Sequence, residues 1–121
     1  MEEDRRKKPR SNSLNLLDYI IVDEEGKSGS YSMGRTLNIS DDGILMETNI
    51  ELELGQLVLI TLDLEEELVQ VTGKIIHVGG NTGAYQAGIK FFHLGNNERR
   101  AIAVYTKLFN KHNDPDKQEE S

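Results

Sequence analysis

The stretch Arg35-Thr36-Leu37-Asn38-Ile39-Ser40-Asp41-Asp42-Gly43-Ile44-Leu45-Met46 reads as one strand running into a tight polar turn and a second strand leaving it. Asn38 and Ser40 carry side chains that both donate and accept hydrogen bonds, and two-residue spacing along a strand sets them side by side on one face. Gly43, preceded by Asp42, can supply the positive φ that reverses a strand. Taken alone, Asn-x-Ser-x-x-Gly describes a common strand end whose side chains satisfy nearby backbone groups.

Working outward, Leu14 to Val22 is rich in β-formers, and the polar run from Glu24 to Ser30 supplies a turn before a second strand from Tyr31 to Ser40. Gly43 to Thr48 is the third strand. Leu57 to Leu64 is the fourth, with Val58, Ile60, Leu62 and Leu64 forming a core face. In Leu68 to Val78, Val69, Val71 and Ile75 share a face that Gly73 interrupts, which predicts a bulge or a close backbone approach. Gly79 to Gly83 is the next turn, and Tyr85, Ala87, Ile89 and Phe91 mark the inward side of a last strand. After Leu94 the period changes. Gly95-Asn96-Asn97 offers an N-cap, and Ala101, Val104, Tyr105 and Leu108 recur at helical spacing within Arg99 to Lys111.

Six short strands followed by one helix predict an all-β-dominated fold, an antiparallel barrel whose closure removes exposed edges. The chain of 121 residues suits one domain. It is expected to comprise a flexible basic arm (1–13), the barrel with its C-terminal helix (14–111) and a disordered tail (112–121).

There is no cysteine, which excludes disulfides and thiolate metal sites. No signal peptide and no run of about 20 apolar residues appears, so a cytoplasmic protein without a membrane span is expected. Residues 1–10 hold five Lys/Arg and three Asp/Glu, and the remainder nine and eighteen, so a basic arm precedes an acidic body. That balance argues against general nucleic-acid binding, which needs an extended basic surface. His77, His93 and His112 lack metal-ligand spacing, and no nucleophile-base arrangement stands out, so no enzyme is expected.

The arm contains Arg5-Arg6-Lys7-Lys8-Pro9-Arg10. Arg6-x-x-x-Arg10 upstream of Asn38-x-Ser40-x-x-Gly43 resembles the two-part signature of PilZ domains, small bacterial β-barrels that bind the second messenger cyclic di-GMP. Ala87-Gly88-Ile89-Lys90-Phe91 is similar to the family's last-strand pattern, and the resemblance covers roughly residues 5 to 110. It implies a six-stranded, split-barrel-type architecture.

The resemblance also implies roles. Arg6 and Arg10 would contact phosphates and the guanine N7/O6 edge, Asn38 the N1/N2 edge, and Ser40 base or phosphate, while Gly43 would shape the turn. The donor fork of arginine suits the two acceptors of the first edge, and an amide oxygen suits the donors of the second. Asn stands where many members have Asp, which reads the edge with one carbonyl acceptor and no charge. Arg5 is a possible additional contact, for an intercalated ligand pair. Arg35 could add charge, although an exposed strand arginine needs no such role, and Asp41 and Asp42 would oppose an anion unless they face away.

The implied function is a cyclic di-GMP receptor whose arm orders on binding and creates a surface for a downstream protein partner. A monomer or a ligand-dependent homodimer would serve. The alternative is a PilZ-type interaction module that binds no nucleotide.

Overall fold

The computed structural model describes residues 16–113. Six strands, β1 (Leu16–Val22), β2 (Ser28–Ile39), β3 (Gly43–Thr48), β4 (Leu57–Asp63), β5 (Leu68–Asn81) and β6 (Ala84–Phe92), precede one helix, α1 (Asn96–His112). Every strand pairing is antiparallel, and the barrel closes in the order β1-β2-β3-β6-β5-β4. The expected six-stranded antiparallel barrel with a C-terminal helix is therefore what forms. The barrel is not a simple meander: after β3 the chain crosses through residues 49–56 to β4, which pairs with β1.

Alternation builds the interior as the sequence suggests. Val58, Ile60, Leu62, Val69, Val71, Ile75, Ala87, Ile89 and Phe91 are buried in one cluster with Leu17, Tyr19 and Met46. Gly73 belongs to this packing and marks a close approach, since a Cβ there would lie 2.4 Å from Ile89 Cγ2. The bulge in β5 falls later. Ile75 faces Ile89 and His77 faces Gly88, so Ile76 is the extra residue, and it stands exposed. Gly79 to Asn81 continue β5, which shortens the expected turn to Thr82 and Gly83.

α1 starts at Asn96, with Glu98 accepting the Gly95 N–H at 2.9 Å in its first turn, where a carboxylate also suits the helix dipole. Ala101, Ile102, Tyr105 and Phe109 join the barrel core. The helix runs one residue past the expected boundary, to His112. Two hydroxyl pairs are sealed inside: Tyr19 with Thr48 at 2.8 Å and Tyr105 with Thr36 at 3.0 Å. Such pairing avoids the cost of an unsatisfied buried hydroxyl.

Candidate functional site

The pairing of β2 with β3 holds the step that builds the site. Thr36 faces Met46 and Asn38 faces Leu45, which leaves Leu37 as an extra residue in β2. Side chains alternate between faces, so one added residue reverses every face beyond it. Gly34 and Thr36 are buried ahead of the bulge, and after it Ile39 is buried while Asn38 is exposed. The bulge at Leu37 thus turns Asn38 outward.

Direct cross-strand pairs extend this outer face. Asn38 stands opposite Leu45, Leu45 opposite Gly88, and Gly88 opposite His77. The second bulge, at Ile76, sets His77 on this row. One step along, Gly43 stands opposite Lys90 and Lys90 opposite Lys74. The result is a shallow groove of about 240 Å³ whose walls include Asn38, Ser40, Gly43, Leu45, His77 and Gly88.

Gly43 departs from the sequence expectation. The positive-φ glycines are Gly26, Gly55, Gly80 and Gly83, and Gly43 is not among them. Its requirement is spatial: a Cβ there would lie 2.4 Å from the Ile89 carbonyl oxygen and 3.4 Å from Lys90 Cα. The turn instead closes through Ser40 N–H donating to Gly43 O and Phe91 N–H donating to Asp42 O, both at 2.9 Å. The second bond fastens the turn to β6.

Local bonds orient the two polar side chains. Asn38 Oδ1 accepts the Ile39 N–H at 2.9 Å, and Ser40 Oγ accepts the Asp42 N–H at 3.3 Å. Among the described residues these contacts leave a second lone pair on Asn38 Oδ1, the Asn38 amide donors and the Ser40 hydroxyl proton without a partner. Ser40 lies just past the last residue of β2 and still borders the same groove as Asn38.

Arg35 is engaged elsewhere, its Nη2 donating to Glu47 Oε1 at 2.9 Å across β2 and β3. Asp41 and Asp42 are exposed. Arg5, Arg6 and Arg10 lie outside the described residues. His77, which the sequence marks only as a histidine without metal-ligand spacing, is exposed on the groove wall, and its place there depends on the bulge at Ile76, which no local sequence signal announces. Among the described residues no cluster of His, Asp and Glu could hold a metal ion, and no helix is long and apolar enough to cross a membrane.

The PilZ domain model matches residues 4–108. A search of curated proteins returned no match. Among solved structures, the PilZ domain of YcgR from Escherichia coli, determined with c-di-GMP, is similar at a TM-score of 0.66 and 10% identity, covering 88% of this chain and 89% of that one. The PilZ domain of CeSA from a cellulose-synthesising bacterium gives 0.54 at 16% identity, covering 76% and 90%. The motility inhibitor MotI/DgrA of Bacillus subtilis gives 0.58 at 16% identity, covering 82% of this chain and 49% of its own. A family match over that span, carried on a barrel of the same architecture, means that the chain belongs to the PilZ domain family.

Proposed function

We propose that this chain is a receptor for cyclic di-GMP, bound between the N-terminal arm and the groove of Asn38, Ser40 and Gly43. The observation that carries the reading is the groove itself. The three residues of the downstream half-signature share one surface recess, and at about 240 Å³ that recess is smaller than the roughly 300–1,000 Å³ of enclosed ligand sites. A dinucleotide laid on it needs a second wall.

Arg6 and Arg10 are the candidates for that wall, and the chain's path supports them. β1 begins at Leu16 opposite Arg35, three residues along β2 from Asn38, or about 10 Å of strand. Arg10 is six residues upstream of Leu16, a span of up to about 20 Å. The arm therefore has the length to bring both arginines over the groove. Asn38 and Ser40 would read guanine or phosphate from the barrel side, and the arm would supply charge and the N7/O6 contact. Bringing the arm against the barrel creates a new surface for a protein partner to read.

The test is isothermal titration of the purified protein with cyclic di-GMP at physiological salt, beside Arg10→Ala. Saturable heat that the substitution abolishes is expected. No binding by a demonstrably folded wild type overturns the reading. Hydrogen exchange of residues 1–13 should slow on addition of cyclic di-GMP, and equal exchange in both states removes the ordering step.

A further inference from the structure

Beside the groove, the outer wall of the barrel keeps two positive charges together. Lys74 on β5 and Lys90 on β6 are directly opposed and both exposed. Like charges in that relation destabilise a sheet. Neither lysine forms an ion pair among the described residues, although the same face pairs Arg35 with Glu47 and the chain as a whole carries a net charge of −7.

Their position relates them to the site. Ser40 hydrogen-bonds to Gly43, Gly43 faces Lys90, and Lys90 faces Lys74, so the four residues form a row across the turn, β3, β6 and β5. Lys90 adjoins the groove through Ile89, one of its walls. Gly43 adds no side chain to that row, and neighbouring strands are about 4.8 Å apart, so a lysine stem from position 90 reaches across Gly43 toward the turn. Repulsion between the opposed ammonium groups favours Lys90 rotamers directed away from β5, the side on which Gly43 lies. On the far side, Lys74 borders a separate recess that includes Asp23, Glu24 and Glu53.

We propose that Lys90, backed by Lys74, is the barrel's own contact to a phosphodiester of the bound dinucleotide. This rests on the receptor reading above. Asn38 and Ser40 are uncharged, and Asp41 and Asp42 add negative charge to the same turn. A dianionic ligand on this face is stabilised by a cation on the barrel side as well as by the arm, and Lys90 is the residue the register puts next to Gly43.

Isothermal titration with cyclic di-GMP tests this on Lys90→Gln, Lys74→Gln and, as a charge control on the exposed side of α1, Lys107→Gln. Lys90→Gln is expected to weaken binding about tenfold at low salt and by less at about 0.5 M salt, with Lys74→Gln intermediate. The thermal midpoint of Lys90→Gln should stay level or rise, since the opposed charge is gone. Wild-type affinity in Lys90→Gln, with Arg10→Ala inactive, overturns the proposal and leaves the receptor reading intact. An equal loss in Lys107→Gln assigns the effect to net charge and also overturns it. No binding by folded wild type overturns the receptor reading and this proposal together.

Discussion

The Tyr105 hydroxyl on α1 lies 3.0 Å from Thr36 Oγ1 on β2, two residues before Asn38, so the helix that closes the barrel is tied to the strand that carries the site. Thr36 is 3% exposed and Tyr105 fully buried. Tyr105→Phe leaves the Thr36 hydroxyl without its phenol partner and should cost about 1–2 kcal/mol in urea unfolding. Adding Thr36→Val removes the stranded hydroxyl, so the double variant should lose less than the two single losses combined. A strictly additive cycle would contradict a coupled pair.

The same phenol makes stability sensitive to alkali. Burial raises its pKa above the ordinary 10.0; the Thr36 hydrogen bond works against that shift, and the charge of Asp63 works with it. The folded state therefore holds the proton more tightly than the unfolded state. Below pH 10 this term is constant, and as pH rises from about 10 toward the folded pKa the unfolded chain loses the proton first and stability falls. Wild type should show a steeper alkaline decline than Tyr105→Phe when unfolding is followed by circular dichroism.

Gly43→Ala forces a Cβ against the backbone of Ile89, where no flexible side chain can yield. We expect a loss of about 1–3 kcal/mol as β3 and β6 are pushed apart, together with loss of ligand binding. Gly55→Ala is the contrast. Its φ is +89° with nothing within 4 Å, so only backbone strain of about 1–2 kcal/mol applies and ligand binding should survive. Paired guanidinium melts and titrations separate the two.

Asn38 is exposed, and its local bond is to the next residue's N–H. Asn38→Ala should change stability by no more than about 0.5–1 kcal/mol. Its effect on cyclic di-GMP should be larger, roughly 1–3 kcal/mol or about ten- to hundredfold, if the amide reads a guanine edge. Unchanged affinity on titration would remove Asn38 from the site.

Much of the barrel was legible because its interior residues alternate. Val58, Ile60, Leu62 and Leu64 are buried as their spacing suggests, and the helical period of Ala101 and Tyr105 picks out two residues that close the core. Ile102 and Phe109, three residues before and four after Tyr105, lie on the same helical repeat and share that core. Asn38, Ser40 and Gly43 were recognised as a unit, and they do share a groove. What local sequence did not carry was pairing. Gly43 looked like a positive-φ turn residue and is instead a contact between β3 and β6, which lie far apart in the chain. Of the two expectations at Gly73, a bulge or a close approach, the close approach is what forms, while the bulge sits at Ile76, within Ile75-Ile76-His77-Val78 where no glycine marks it.

The bulges at Leu37 and Ile76 make the site a matter of counting. Asn38 and His77 each face outward because one strand carries a residue more than its neighbour. Replacing Leu37 with Val leaves that count intact and should leave ligand affinity near wild type. Deleting it would carry Asn38 toward the interior and Ile39 toward solvent, with the whole motif still present as letters, and titration of the deletion variant should show no binding. The face shown depends on residue count as well as residue identity, so a relative with an intact signature but a β2 shorter by one residue would display a different face.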